Sequence, residues 1–324
     1  MKKSLIFILP LILFLGCADK NVFKPQKVVK KRLSYEKKDT VLVDYTHKAL
    51  TFQKEKGFLN KKVEYFDENG KSLGSFEKLS ENLAVNGDTL LLLDSKQKIK
   101  LPYLVYRAYK KDNLIAVVFE NNAEGVYDLK KNKLVFYKEN EPVLVAKYLG
   151  VAPIFYKDLI LFPLLNGNIS VVDANSLSFI RNLSLGENII NNIIFLKIVN
   201  HQLFMATPNK LVLFNPNFLV SYDGDIKHIL TDGKDLYVFF VGGKIIRFDS
   251  DLKKLKETKL DFADYFAPTV CNGYIYTVTS NGYLIKIDRN LKTLVFKTNK
   301  FKTDEPLKMK GCKIYNDNKV FIIE

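Results

Sequence analysis

Three cysteines, three histidines and a recurring set of aspartates are the residues of this 324-residue chain whose types could carry chemistry. Cys17 stands apart from the rest. It follows Lys2, Lys3 and an apolar run from Leu5 to Leu15, with the small Gly16 directly before it. A thiol so placed, beside a small residue that a peptidase accepts at the scissile bond, is suited to carry an acyl lipid. Cys271 and Cys312 lie 41 residues apart. In an oxidising compartment they could form a disulfide; otherwise they read as two small buried apolar residues, and both readings stay open. His47, His201 and His228 have no metal-binding spacing and no cysteine beside them. His201 follows Asn200 at a turn and reads as an exposed loop residue. Neither a Gly-x-Ser-x-Gly elbow nor a phosphate-binding Gly-x-x-x-x-Gly-Lys loop occurs. No catalytic residue, metal site or cofactor is therefore expected, and the chemistry reduces to lipid attachment at Cys17.

The segment that delivers Cys17 has the build of an export signal. Its positive start and short apolar run are too brief for a spanning helix, which needs about 20 residues. Phe14-Leu15-Gly16-Cys17 resembles the bacterial lipobox, in which a diacylglyceryl group is added to the Cys before cleavage. Phe14 departs from the usual Leu three places before the Cys, and Leu13 partly offsets this. An ordinary signal peptide with an incidental Cys is the plainer alternative. Residues 1–16 are thus expected to leave as a signal peptide. Several acyl chains, at about 0.8 kcal/mol per buried CH₂, then hold the protein at the membrane essentially for good. Ala18, with Asp19 only one place later, favours the outer membrane, facing the periplasm. Residues 17–39 are expected to form a tether rich in Lys, from Lys20 to Lys38, with a single Pro25 and few apolar side chains. Fully extended it would reach ~70 Å. Its charge either draws it to anionic headgroups or leaves it a solvated linker.

About 285 residues remain after the tether, and 47% of the chain is hydrophobic, so a large core is available. The formal net charge of +15 becomes +13 once Lys2 and Lys3 depart. The lysines are spread along the chain, not clustered with aromatics, and an exported protein seldom meets nucleic acid, so nucleic-acid binding is not expected. After residue 40 no helical period persists. Runs of four to seven apolar or β-branched residues alternate with Asn, Asp, Gly and Lys turns, as short antiparallel strands do. The runs recur in a fixed order. Strands that end in a polar residue close at Asp128, Asp173, Asn215, Asp249 and Asp288, spaced 45, 42, 34 and 39 residues apart. A unit of about 40 residues with four strands predicts a propeller blade. Aspartates repeating once per unit read as turn makers, not as an acid–base pair. Phe52, Phe136 and Phe296 each lie eight residues after such an Asp (Asp44, Asp128, Asp288) and should pack between neighbouring sheets.

Residues 40–324 are therefore expected to form an all-β domain, a β-propeller of four-stranded antiparallel blades. Seven is the expected number, with eight as the alternative; a β-sandwich would not repeat a 40-residue order of strands. Closure should use both chain ends. Met309 to Tyr315 and Val320 to Ile323 supply two strands, and Val41–Asp44 with Ala49–Phe52 supply the other two. The grouping of the hairpins Val63–Phe66/Leu73–Phe76 and Leu90–Leu93/Ile99–Leu101 into blades is open.

The unit Ala267-Pro268-Thr269-Val270-Cys271-Asn272-Gly273-Tyr274-Ile275-Tyr276, with Ser280-Asn281-Gly282-Tyr283-Leu284-Ile285-Lys286-Ile287-Asp288, resembles the quinoprotein-type (PQQ-like) propeller repeat. So do Ala152-Pro153-Ile154-Phe155 and Asn166 to Asp173. The repeat's tail usually carries Trp; this chain has none, and Phe136 and Phe296 stand in. A quinoprotein dehydrogenase would be longer and would stack its cofactor on Trp, so no small-molecule substrate is expected. Joined to a lipid anchor, the repeat resembles the propeller lipoproteins of the outer-membrane β-barrel assembly machinery. That resemblance implies a non-enzymatic scaffold for protein partners. Arg181, Asp223 and Asp225 are the candidate interaction residues. The alternative is a surface or periplasmic binding module for glycans or polyanions, using the basic surface.

Overall fold

The computed structural model describes residues 22–37, 65–66, 72–143, 150–186, 191–215, 218–298, 301, 307–316 and 319–323. Cys17, the signal segment, Val41–Asp44 and Ala49–Phe52 lie outside them. Seven sheets, each a meander of neighbouring strands, account for nearly all of the described chain. Sheet I holds Glu77–Lys78, Leu83–Asn86, Thr89–Leu92 and Lys98–Lys100. Sheet II holds Val105–Lys111, Leu114–Phe119, Glu124–Asp128 and Lys133–Lys138. Sheet III holds Ile154–Tyr156, Leu159–Pro163, Asn168–Asp173 and Phe179–Ser184. Sheet IV holds Phe195–Val199, Gln202–Ala206, Lys210–Asn215 and Phe218–Asp223. Sheet V holds Ile226–Thr231, Leu236–Phe240, Lys244–Phe248 and Lys254–Lys259. Sheet VI holds Tyr265–Cys271, Tyr274–Thr279, Tyr283–Ile287 and Thr293–Lys297. Sheet VII begins with Leu307–Lys310, Lys313–Asn316 and Lys319–Ile322. A separate two-stranded hairpin joins Tyr65–Phe66 to Ser72–Gly74.

Period-two alternation explains why the sheets stack. In Leu114–Phe119, Ile115, Val117 and Phe119 pack toward sheet I, whereas Ala116 and Val118 pack toward sheet III. In Leu236–Phe240 the same rule sends Leu236, Val238 and Phe240 to sheet IV, and Tyr237 and Phe239 to sheet VI. In sheets II to VI the second strand is apolar on both sides because each of these sheets is covered by a neighbour on both sides. Six buried clusters thus straddle the successive pairs from I–II to VI–VII. Phe136 lies 6.3 Å from Phe162 across the II–III interface, and Phe296 is buried between VI and VII, as their spacing from Asp128 and Asp288 predicts.

A meander also sorts its turns. Connections between first and second strands, and between third and fourth, leave one end of every sheet; we call this end the hairpin face. Turns between second and third strands, and the links from sheet to sheet, leave the other end, the connector face.

Two expectations change. Residues 22–37, expected within a free tether, pack against the propeller as a strap. Phe23 joins the V–VI cluster and Leu33 the VI–VII cluster. Between them Val29–Lys30 pairs in parallel with Thr293–Lys297. Beyond them Tyr35–Lys37 pairs antiparallel with Lys319–Ile322. Two apolar side chains suffice because they fill gaps that the sheets have already formed, and the strap's backbone covers two unpaired outer edges. The second change is in the closing sheet. Met309 to Tyr315 is not one strand: Gly311, at φ +55°, turns the chain into a hairpin. The C-terminal side thus supplies three strands of sheet VII, and the N-terminal strand that completes it is Tyr35–Lys37. Closure by both chain ends holds, with different residues from those expected.

Candidate protein-binding surface

The first strand of each sheet is the innermost. Fourth strands such as Phe179–Ser184 and Lys254–Lys259 are exposed along most of their length. First strands instead meet one another across sheet boundaries, as Ile226–Thr231 does Tyr265–Cys271, and as the latter does Leu307–Lys310. Their composition is one-sided. Lys78, Arg107, Lys110, Lys111, Lys197, Lys227, Lys308 and Lys310 make eight cations, against the single carboxylate of Glu77. Aromatic rings lie among them. Lys111 Nζ sits 5.7 Å from the Phe155 ring, and Tyr109 packs 6.3 Å from the same ring. Lys227 Nζ sits 4.1 Å from the Phe266 ring and pairs with Asp264. The Arg107 guanidinium lies 4.9 Å from the Tyr106 ring and donates to the Gly150 carbonyl at 3.1 Å. Each of the first two cations reaches the first strand of the next sheet, so the inner rim is stitched by cation–π contacts. Such a rim can attract acidic segments of a partner and stack against apolar ones.

The strand-end aspartates are spent on turns. Asp128 Oδ1 accepts the amides of Lys130 at 2.8 Å and Lys131 at 3.1 Å. Asp173 Oδ1 accepts those of Asn175 and Ser176, and Asp249 and Asp288 each accept two more. Hydrogen bonds from Ser176 hold the Asp173 carboxyl below the usual range. Asn215's side chain is not described.

Two buried charge clusters are structural. Asp235 Oδ2 accepts Arg247 Nε at 2.9 Å and Nη2 at 2.6 Å, together with Arg289 Nη2 at 3.1 Å. Arg247 Nη1 donates to the Arg289 carbonyl at 2.7 Å, which binds sheet V to sheet VI. Beside this cluster, burial pushes the Asp232 carboxyl up, but amide bonds from Asp235 and Lys234, the Tyr237 hydroxyl and Arg289 hold it lower on balance. Burial, followed by the charge of Asp232, pushes the Tyr237 hydroxyl up to about 12. In the second cluster, Glu124 is fully buried between sheets II and III. Its Oε1 accepts Ser170 Oγ at 2.6 Å and lies 3.7 Å from Lys138 Nζ, while Oε2 has no hydrogen-bond partner. Burial raises the Glu124 carboxyl above its ordinary value despite those contacts.

The sequence candidates do not converge. Arg181 lies on the exposed fourth strand of sheet III, not in a loop. Asp223 ends the fourth strand of sheet IV, 3.7 Å from Lys210 Nζ. Asp225 lies in the IV–V link, and its carbonyl accepts the Val241 amide at 2.8 Å. The structure joins Cys271 to Cys312 in a disulfide between sheets VI and VII, with Cα atoms 4.9 Å apart. His228 Nε2 lies 3.1 Å from the Tyr265 carbonyl, and His201 is exposed. The described residues contain no group of three or more His, Cys, Asp or Glu arranged to hold a metal. The inner rim was missed because its signal appears only once first strands are compared with one another.

No family model matches the chain. It is 31% identical over 201 residues to the plasminogen-binding protein PgbB of Helicobacter pylori strain J99, covering 60% of this chain and 37% of that protein. The PgbB of a second Helicobacter pylori strain is 30% identical over the same length. The chain thus spans little more than a third of the length of these curated relatives. Among solved structures, BamB from Moraxella catarrhalis superposes with a TM-score of 0.57 at 15% identity, over 74% of this chain and 81% of that one. The C-terminal WD40 domain of Sif2 superposes with a TM-score of 0.59 at 12% identity, over 81% of each chain. With its four-stranded antiparallel sheets, the chain is a β-propeller similar in fold to BamB.

Proposed function

We propose that this protein is a cell-envelope lipoprotein, attached through Cys17, whose propeller binds protein partners and performs no catalysis. The observation that carries the reading is the 31% identity to a protein named for binding plasminogen. Plasminogen, or a host protein like it, is the corresponding partner. The basic, aromatic inner rim is the surface best suited to receive it. The disulfide between Cys271 and Cys312 agrees with export to an oxidising compartment. An outer-membrane location facing the periplasm, and a scaffold role in outer-membrane protein assembly, form a finer reading that rests on Cys17 joined to a propeller. A surface location suits plasminogen binding better.

Immobilised plasminogen and purified full-length protein test the partner directly. Saturable binding that weakens as salt rises, and that falls at least tenfold in the Lys227→Glu/Lys308→Glu variant, is the expected result. Absence of saturable binding would remove plasminogen as the partner. Crosslinking in cell envelopes discriminates the assembly role: recovery of the barrel-assembly machinery, with loss of outer-membrane proteins on gene deletion, would favour it. Salt-sensitive binding to heparin in place of protein would favour a polyanion module.

A further inference from the structure

We infer that the connector face is the side held against the lipid surface, with the exposed side chains of Val241 and Phe262 entering the headgroup region. This rests on the lipid attachment at Cys17 proposed above.

The strap fixes where the chain leaves the propeller. Asn281, in the connector-face turn of sheet VI, donates from Nδ2 to the Phe23 carbonyl at 2.8 Å. The Phe23 ring stands edge-on to Tyr283, 5.9 Å away, at the same end of that sheet. From Val22 back to Cys17 is five residues, which extend at most ~18 Å. An acylated Cys17 therefore keeps the connector face within about that distance of the bilayer. A free tether of some twenty residues would leave the propeller's orientation undetermined; this strap narrows it to orientations with the connector end of sheet VI near the bilayer.

The loops of the two faces differ in what they show to solvent, although strand ends near the hairpin face also expose Phe179, Leu255 and Tyr274. Tyr103, Leu104, Val241 and Phe262 are exposed large apolar residues in loops, and all four are on the connector face. Among the described residues no hairpin-face turn exposes one. There Leu252 and Leu291 are turned inward, at 6% and 3% exposure, whereas Val241 and Phe262 stand at 62% and 50%. The platform beneath these two is firm. Phe262 is held at φ +62°, a conformation that bulky residues seldom adopt. The Leu260 amide donates to the Gly243 carbonyl at 2.9 Å, and the Tyr265 hydroxyl donates to the same oxygen at 2.9 Å. Lys24 and Lys27 are exposed on the adjoining strap, where cations meet anionic headgroups. Aromatic and aliphatic tips with lysines beside them are what the interfacial zone accepts. A protein partner would equally accept the apolar tips, but a strap ending a few residues short of an acyl anchor favours lipid.

The chain contains no Trp, so an introduced indole is the sole reporter. Phe262→Trp marks the connector face, and Lys234→Trp marks the hairpin face of the same sheet. Each variant, purified with its lipid and reconstituted into phosphatidylcholine–phosphatidylglycerol vesicles, is measured with and without brominated acyl chains. At least threefold stronger quenching in Phe262→Trp than in Lys234→Trp is expected. Equal or reversed quenching in protein that floats with vesicles, and whose flotation Cys17→Ser abolishes, overturns the orientation but leaves the anchor standing. Flotation that does not depend on Cys17 overturns both. Absence of quenching that is joined by crosslinks from the Phe262 loop to an envelope protein assigns the face to a protein partner instead.

Discussion

The two faces of this propeller are built from the same sheets yet do opposite things with their loops. On the hairpin face the strand-end aspartates are used within a few residues, and a buried charge cluster ties two sheets together. Asp128, Asp173, Asp249 and Asp288 accept their own turn amides, and Asp235 gathers Arg247 and Arg289. The connector face spends its loops on longer tasks, linking sheet to sheet, receiving the strap at Asn281 and displaying Val241 and Phe262. Short turns that satisfy themselves resist perturbation; loops that reach outward are free to serve a surface. Self-satisfied turns are therefore concentrated at one end, and loops with exposed apolar side chains at the other.

That contrast can be broken from its stable side. The Cys271–Cys312 bond staples sheets VI and VII at the hairpin face across 41 residues. Loop-closure entropy puts the loss from the Cys271→Ser/Cys312→Ser pair at about 4 kcal/mol in denaturant unfolding. Unchanged stability would mean that the staple is redundant. Asp235→Ala strands two arginines and is expected to cost about 3 kcal/mol, less than a fully dry pair because Arg289 is half exposed. Phe23→Ala should cost about 3 kcal/mol of strap docking. It should also open cleavage after Lys27 and Lys30 to trypsin while sheets II to IV remain intact.

Smaller effects sharpen the comparison. The Glu124 carboxyl is raised in the folded state. The folded protein therefore binds this proton more tightly than the unfolded chain. The stability it contributes is full below the ordinary glutamate value of about 4.3 and falls as pH rises through the raised one. Glu124→Gln should gain about 1 kcal/mol at neutral pH and lose that part of the pH dependence, as read from thermal unfolding between pH 4 and pH 8. Val241→Ser with Phe262→Ser should change solution stability by less than about 0.5 kcal/mol, because neither side chain is buried. A large loss there would show that these residues belong to the core.

Much of this architecture is legible in the sequence because its determinants are local. An aspartate at a strand end bonds amides two to four residues later, so Asp128 and Asp288 mark their turns without knowledge of the rest of the chain. Alternation along Leu114–Phe119 likewise announces a strand covered on both sides. The strap is not legible for the opposite reason. Phe23 and Leu33 are scattered apolar residues without strand or helix period in a lysine-rich stretch, and what orders them is a pair of gaps between sheets whose residues lie more than 200 positions away. Gly311 turns a hairpin between Lys310 and Cys312 for which the neighbouring residues give no stronger turn signal. The pairing of Cys271 with Cys312 is suggested by their equivalent places in successive units, but the bond requires the two sheets to be adjacent in space.

With the proposed anchor at Cys17, the central question is which face of the propeller meets the membrane. Amide hydrogen exchange on the lipidated protein, compared in vesicles and in detergent-free soluble form after Cys17→Ser, reads both faces at once. The connector-face segments 241–243 and 260–264 should gain protection on vesicles, while the hairpin-face segments 130–132 and 232–235 exchange as in solution. Protection of the hairpin face, with the connector face unchanged, would contradict the proposed orientation.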